Sequence, residues 1–335
     1  MKILLIGNFA PPFEEENLHN ITLFNRLVED GHKCSAINVS KNPSTDSRFI
    51  NPGSDAGYLL TLIRLGRKQD VIHFSTKGYL RVGLLKMMLS IFVAKVTGAK
   101  SVITFYSEFF SILGQMRSPF GGTQTLFTSF YLADRIIFSD KDTFEVATMY
   151  RKRPNFELLP SFIHVPENMP QGDSSLSGRL KDKKNVIVFM NVTQSAFISE
   201  ILRELLAASD LSEDTAIVIS SSGEAVASSM KIPDNLIFID QDDLHSALTA
   251  FSSADIILRP LTCDGEMFFE KFTVSAKKVL HAGNNVFFPN GLVFIKEGTA
   301  AALCADMVRS MLSSGGPLTG SYSQDPYDSI KAIYG

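Results

Sequence analysis

The sequence predicts an α/β protein built as two Rossmann-like domains that face each other across a cleft. Three observations carry this. Short apolar runs alternate with helical patterns along the first half, the signature of a parallel sheet covered by helices. The same alternation restarts in the second half, after a stretch between Pro166 and Lys184 rich in Pro, Gly, Ser, Asp and Lys that reads as a linker. A chain of 335 residues also exceeds what one hydrophobic core usually serves.

In order, the strands expected in the first half are Lys2–Ile6, Cys34–Val39, Val71–Phe74, Ser101–Phe105, Arg135–Phe138 and Phe156–Leu159. Between the first two, Leu18, Ile21, Phe24 and Val28 fall on one helical face, and Gly31 suits the helix end. A second helix over Leu80–Val96 stops at Gly98, and a third covers Thr123–Leu132. The first domain is thus expected over 1–166 and the linker over 167–184. The second domain, 185–320, opens with a strand at Val186–Met190, a helix at Ile198–Ala208 and strands at Ala216–Ser220 and Leu236–Ile239. A helix at Leu244–Ser253 and a strand at Asp255–Leu258 follow. Residues 321–335 carry a short helix, Tyr327–Tyr334, placed to cross back to the first domain.

Composition narrows the function classes. Lys and Arg number 32 against 35 Asp and Glu, so the net charge of −3 offers no electrostatic case for nucleic acid. Cys34, Cys263 and Cys304 are far apart and lack metal-ligand spacing, which suits free thiols in a reducing cytoplasm. No metal or cofactor is expected. The apolar core after Met1 is too short for a signal peptide, and Lys86 and Lys95 interrupt the most apolar helix well before membrane-spanning length. Those two lysines suit either a helix lying at a membrane interface or a buried helix whose lysines snorkel to water.

A parallel sheet invites a dinucleotide reading, but the turn after the first strand is Gly7-Asn8-Phe9-Ala10-Pro11-Pro12-Phe13-Glu14-Glu15-Glu16. It has one glycine and three carboxylates where a pyrophosphate needs open amides. The prolines stiffen the loop, and the glutamates also suit the positive end of a helix dipole. The richest segment runs from Asp255 through Arg259-Pro260 and Asp264-Gly265-Glu266 to Glu270-Lys271-Phe272-Thr273-Val274 and on to Lys278 and Gly283. It reads as strand, acidic loop and a helix starting near Phe272, whose first amides, at Phe272, Thr273 and Val274, would face a diphosphate.

This segment resembles the donor-binding signature of the family-four glycosyltransferases (glycosyl transferases group 1), which have the GT-B fold. The family pattern is Glu, seven residues, Glu, then Ala and a short run to Gly; counting back from Gly283 puts its first glutamate at Glu270 and its second at Lys278. Pro11-Pro12 with the helix to Gly31-His32, Asp70–Phe74, Ala133–Ser139 and Leu158–Ile163 resemble further family segments in the same order. The resemblance implies a retaining hexosyl-type transferase of polysaccharide biosynthesis, using a nucleotide-sugar donor and a glycan or lipid-linked acceptor, in the cytoplasm or at the inner face of the membrane. The alternative is a non-catalytic GT-B protein that binds a carbohydrate or a partner enzyme.

The resemblance assigns Glu270 to the donor sugar and places Tyr106 where the family has a histidine and Lys278 where it has a ribose-binding glutamate. A lysine has only donors, so it cannot accept from both ribose hydroxyls. The loop Asn191–Phe197, where the family carries an arginine and a lysine, has no cation. Lys77, Arg259, Lys271 or Lys278 would then serve the phosphates. Gly223 admits a close backbone approach, and the loop Asp240, Gln241, Asp242 would face the base. On the acceptor side stand Pro12, Phe13, Glu14, Lys77 and Glu108. His73 and His164 are polar cleft candidates or satisfied structural histidines.

Overall fold

The structure is a computed structural model that describes residues 1–77, 81–106, 122–139, 141–164, 174–189, 196–207, 214–220, 234–261, 273–278, 280–282, 285–287, 293–296, 306, 308–310, 312 and 325–335. It contains two Rossmann-like sheets. The first runs through β1 (Lys2–Gly7), α1 (Glu15–Glu29), β2 (Lys33–Asn38), β3 (Phe49–Ile50), α2 (Asp55–Gly66) and β4 (Val71–Thr76). It continues with α3 (Arg81–Thr97), β5 (Lys100–Phe105), α4 (Gly122–Leu132), β6 (Arg135–Phe138), α5 (Lys141–Arg151) and β7 (Phe156–Leu158). Its strand order is β3-β2-β1-β4-β5-β6-β7, every pair parallel. The order reverses between β1 and β4, so the loops after those two strands flank the crevice where doubly wound sheets bind ligands.

Strands buried on both faces need apolar side chains throughout, and Ile3, Leu4, Leu5 and Ile6 of β1 are all inaccessible to solvent. One core layer, with Leu4, Ile6 and Ile72, packs under α2, α3 and α4. Gly66 lets α2 and α3 close: a Cβ there would lie 2.7 Å from Val93 Cγ1. The other layer, with Leu5, Leu18 and Phe24, is continuous with residues of the second half such as Val188, Ile239 and Phe251.

The second half holds α6 (Ser174–Lys181), β9 (Asn185–Phe189), α7 (Ala196–Ala207), β10 (Thr215–Ser220), β11 (Leu236–Ile239), α8 (Leu244–Ser253) and β12 (Ile256–Leu261). Strands β11-β10-β9-β12 are parallel, and β13 (Thr273–Lys278) and β16 (Val293–Lys296) extend the sheet antiparallel. A three-stranded sheet joins β14 (Leu280–Ala282) and β15 (Asn285–Phe287) to β8 (Phe162–His164), so the chain enters the second half's structure directly after β7.

Two expectations are corrected. The stretch read as an exposed linker carries helix α6, whose Leu176 and Leu180 are buried in the shared core. The helix read from Phe272 to Gly283 is replaced by strand at Thr273–Lys278, since β13 finds partners on both edges. Its β-branched Thr273 and Val274 suit that pairing, and tertiary neighbours outweigh a short helical pattern.

The last helix, α9 (Pro326–Tyr334), lies against α1 of the first sheet. Asp325 caps it through the Tyr327 amide and pairs with Arg26 at 2.6 Å. The Arg26 guanidinium stacks 3.9 Å from the Tyr327 ring centroid, and the Tyr327 hydroxyl donates to Asp30 at 2.7 Å. Tyr327 is buried. Tyr327→Ala is therefore expected to lower unfolding stability by about 3–4 kcal/mol. Tyr327→Phe, which loses only the hydroxyl bonds, should cost about 1 kcal/mol. Urea denaturation followed by circular dichroism checks both values.

Candidate functional site

The site begins with the loop between β1 and α1, which three asparagines hold. Asn17 donates both amide hydrogens, to Ala10 O at 2.5 Å and Pro12 O at 2.7 Å. Asn20 Nδ2 donates to Asn8 O at 3.2 Å, and Asn38 Oδ1 accepts from the Phe9 amide at 3.0 Å. The Glu14 amide donates to Pro12 O and the Phe13 amide to Gln241 O, at 3.1 and 2.9 Å. The prolines, joined by a cis bond, have no N–H to offer. The loop thus directs most of its amides into the protein rather than toward an anion.

Glu14 ends the loop as the residue before α1 but makes no side-chain cap. It reaches across the crevice instead, and Lys77 Nζ, on the loop after β4, sits 2.6 Å from its Oε2 with both side chains largely shielded. This ion pair bridges the two loops at the switch point of the first sheet.

Beneath it lies a buried polar layer on the first turns of α1 and the ends of β4 and β5. Glu15, Glu16, Asn17, His19 and Asn20 are all buried, as are His73, Ser75, Thr76 and Thr104. Gly7 makes room for this layer: a Cβ there would lie 2.6 Å from Asn20 Nδ2. His19 Nδ1 accepts from the Phe162 amide at 3.1 Å, so the neutral ring carries its hydrogen on Nε2, which has no partner among the described residues. Burial lowers the His19 pKa to about 4, against the opposing pull of Glu15. His73 bridges the Tyr334 hydroxyl and Thr104 Oγ1, the latter at 2.7 Å, and burial with the neighbouring His19 lowers its pKa to about 3.

The structure brings together Pro12, Phe13, Glu14 and Lys77 from the expected acceptor side, and sets Phe13 against Gln241 from the donor side. Because Phe13 follows β1 and Gln241 follows β11, their bond joins the carboxyl edges of the two parallel sheets. Asp240 Oδ1 accepts from the Asp242 amide at 2.9 Å and shapes that second loop. Arg259, Thr273 and Val274 lie in the carboxyl half of β12 and the facing start of β13. The amides of Thr273 and Val274 belong to a strand rather than a helix start, which removes the diphosphate role given to them.

Lys278 is corrected as well: it pairs with Ile256, the first residue of β12, at the amino edge of the sheet and away from Gln241. Tyr106 stands at the end of β5 but is buried, its hydroxyl 3.5 Å from Asn20 Oδ1, so it supports α1 rather than facing an acceptor. Burial, then the charges of Glu16 and Glu15, raise its pKa well above the usual phenol value. Glu108, Gly223, Glu270, Lys271 and Phe272 lie outside the described residues. His164 is half-buried in β8, with its amide 3.4 Å from Thr22 Oγ1. Sequence reasoning missed Asn17, His19 and Asn20, because polar residues on the first turns of a helix read as its solvent face until other segments cover them.

No protein-family model matches the chain, nor does any curated protein. Among solved structures, a putative UDP-N-acetylglucosamine 2-epimerase from Listeria monocytogenes is similar at a TM-score of 0.49 and 11% identity, over 78% of this chain and 75% of that one. An alpha-glucosyltransferase in complex with UDP and DNA is similar at 0.47 and 10%, over 76% and 70%. The glycosyltransferase SnogD from Streptomyces nogalater gives 0.42 and 11%, over 78% and 77%. Likeness at this level decides nothing about activity.

Both buried histidines start from 6.5 in the unfolded chain and fall to about 4 and about 3 in the native one. The unfolded chain therefore binds more protons below pH 6.5, and native stability falls as pH drops from 7 toward 4. At pH 5 each histidine should cost about 2 kcal/mol relative to pH 7. Urea midpoints across that range check this, with His73→Gln less stable at pH 7 but showing a shallower slope. Gly7→Ala should destabilise by about 1–3 kcal/mol, since Asn20 must move from its seat.

Proposed function

We propose that this chain is a glycosyltransferase that moves a sugar from a nucleotide-sugar donor to a hydroxyl of a glycan or lipid-linked glycan, with retention at the anomeric carbon. The observation that carries the reading is the Phe13–Gln241 bond, which brings the carboxyl edges of two Rossmann-like sheets together. Ligands of open α/β sheets bind at those edges. A donor held from the second half and an acceptor held from the first would meet there.

In the transfer, the acceptor oxygen bonds to the anomeric carbon as the bond from that carbon to the diphosphate oxygen breaks. The acceptor proton passes to the departing phosphate, and the nucleoside diphosphate leaves. Such a step asks the protein for positioning and for stabilisation of the leaving charge. Arg259 and Lys271 serve that charge in this reading, while Glu270 accepts hydrogen bonds from donor-sugar hydroxyls and Gly223 admits the nucleotide. Pro12, Phe13 and the Glu14–Lys77 pair form the acceptor wall, with Glu108 following β5 nearby in sequence. Polysaccharide biosynthesis in the cytoplasm, at the inner face of the membrane, is the setting that fits this acceptor class, and no metal or cofactor is required.

One observation favours a second reading, a GT-B protein that binds a carbohydrate or partner enzyme without catalysis. Of the four cations considered for the phosphates, Lys77 is paired with Glu14 and Lys278 stands at the amino edge. Calorimetric titration with a panel of nucleoside diphosphates separates the two: binding of one is expected, and binding of none sinks the transferase. With a binding nucleotide in hand, Glu270→Ala should abolish transfer while nucleotide affinity survives. Glu14→Gln should reduce kcat/KM for the acceptor about a hundredfold through lost positioning, with donor affinity unchanged.

A further inference from the structure

Helix α3 carries three charges in seventeen residues, Arg81, Lys86 and Lys95, and no acid. α4 carries no charge at all. A helix that covers a sheet in water normally turns a charged face outward. Here Leu84, Met87, Ile91 and Ala94 are buried against the sheet, yet the outward stripe Val82, Leu85, Phe92 and Val96 is apolar too, with Phe92 65% and Val96 70% exposed. The neighbouring helices carry exposed apolar side chains too, Leu60 of α2 and Tyr131 of α4, the latter with the Arg153 guanidinium 5.0 Å from its ring centroid.

The chain direction sets what surrounds this patch. Helices α2, α3 and α4 run antiparallel to the strands, so their C-terminal ends gather at the amino edge of the first sheet. Arg64 and Lys95 lie in last helical turns there, Arg67 and Lys68 follow α2, and Lys100 and Arg135 open β5 and β6. Acids on this edge are Asp70, which accepts from the Lys2 amide, Asp134, which pairs with Lys95 and accepts from Ser101, Glu157 of β7, 4.0 Å from Arg135, and Glu29 and Asp30 at the end of α1, the latter paired with Lys331. Lys86, midway along α3, pairs with Asp55 at 2.9 Å. Lys95, Lys100, Asp134 and Arg135 line an open groove of about 510 Å³ beside Gly98. A protein of net charge −3 thus collects bases beside the largest run of exposed apolar side chains among the described residues.

We infer that this outer face of the first domain docks on an anionic lipid bilayer, with Phe92, Val96 and Leu85 entering the headgroup boundary and the basic edge meeting lipid phosphates. Apolar burial and charge attraction act together at such a surface, each basic residue near an anionic leaflet adding to the binding. The patch belongs to the core layer opposite the one shared with the second half, so docking leaves the Phe13–Gln241 junction uncovered. The inference deepens the membrane setting of the proposed function, and vesicle binding reads it separately from nucleotide binding and sugar transfer.

Flotation of the full chain tests it, with vesicles of phosphatidylcholine alone and vesicles in which about one-third is phosphatidylglycerol. Binding to the anionic vesicles, weakened by added salt and weak on neutral ones, is expected. The double variant Leu85→Glu with Phe92→Glu should reduce binding about tenfold or more, and Arg67→Gln with Lys68→Gln should reduce it while keeping the apolar contact. Circular dichroism and urea midpoints equal to those of the wild type confirm that these variants remain folded. No flotation of the wild type, or equal flotation of the Glu variant, overturns the inference. So does a concentration-dependent dimer in sedimentation that the same Glu variant abolishes, because the patch would then be covered by a second copy.

Discussion

The arrangement at the centre of this molecule depends on the side-chain amide of Asn17, which holds two carbonyls of the loop after β1 from the first turn of α1. That loop is stiff in its prolines but has few bonds of its own, so its path is set from outside. With Asn17, Asn20 and Asn38 in place, Phe13 is delivered to Gln241 and Glu14 to Lys77. The cost is the burial of a run of polar groups, from Glu15 to Asn20, on a helix start. Such burial is tolerable only because the groups find hydrogen bonds, and His19 Nε2 is the ring nitrogen of this layer with no described partner.

The two halves are joined at several depths, and the energies differ. Among the described residues one backbone bond, Phe13 to Gln241, links them at the crevice, worth about 1 kcal/mol net. Behind it, β8 pairs with β15 while its Phe162 amide engages His19, and α9 anchors to α1 through Tyr327 and Arg26. Tyr334 reaches the core of the first sheet at His73. Among the described residues, the contacts that join the halves are more extensive behind the crevice than at it.

The same economy of charge appears on both sides of the first sheet. On the inner side, Glu14 and Lys77 neutralise each other above a buried layer that holds Glu15 and Glu16. On the outer side, acids are scarce along α3 and α4, and bases gather at the amino edge. One sheet therefore presents two chemically different surfaces, a hydrogen-bonding crevice and an apolar, basic face.

Strand positions were legible in the sequence because β1, β4, β5, β9 and β10 are buried and each carries a short apolar run. Helix ends at Gly31 and Gly98 were legible too, since both residues adopt positive φ that suits glycine. Proximity was not. Thr273–Lys278 has a local pattern compatible with helix, and only the flanking β12 and β16 make it a strand, which carries Lys278 to the amino edge. Likewise Asn17, His19 and Asn20 look like the solvent side of an amphipathic helix until the loop, β8 and the sheet ends cover them. Periodicity depends on neighbours along the chain and survives without a fold. Burial of a polar residue and the edge to which a lysine is carried depend on distant segments, and those were decided only when the chain packed.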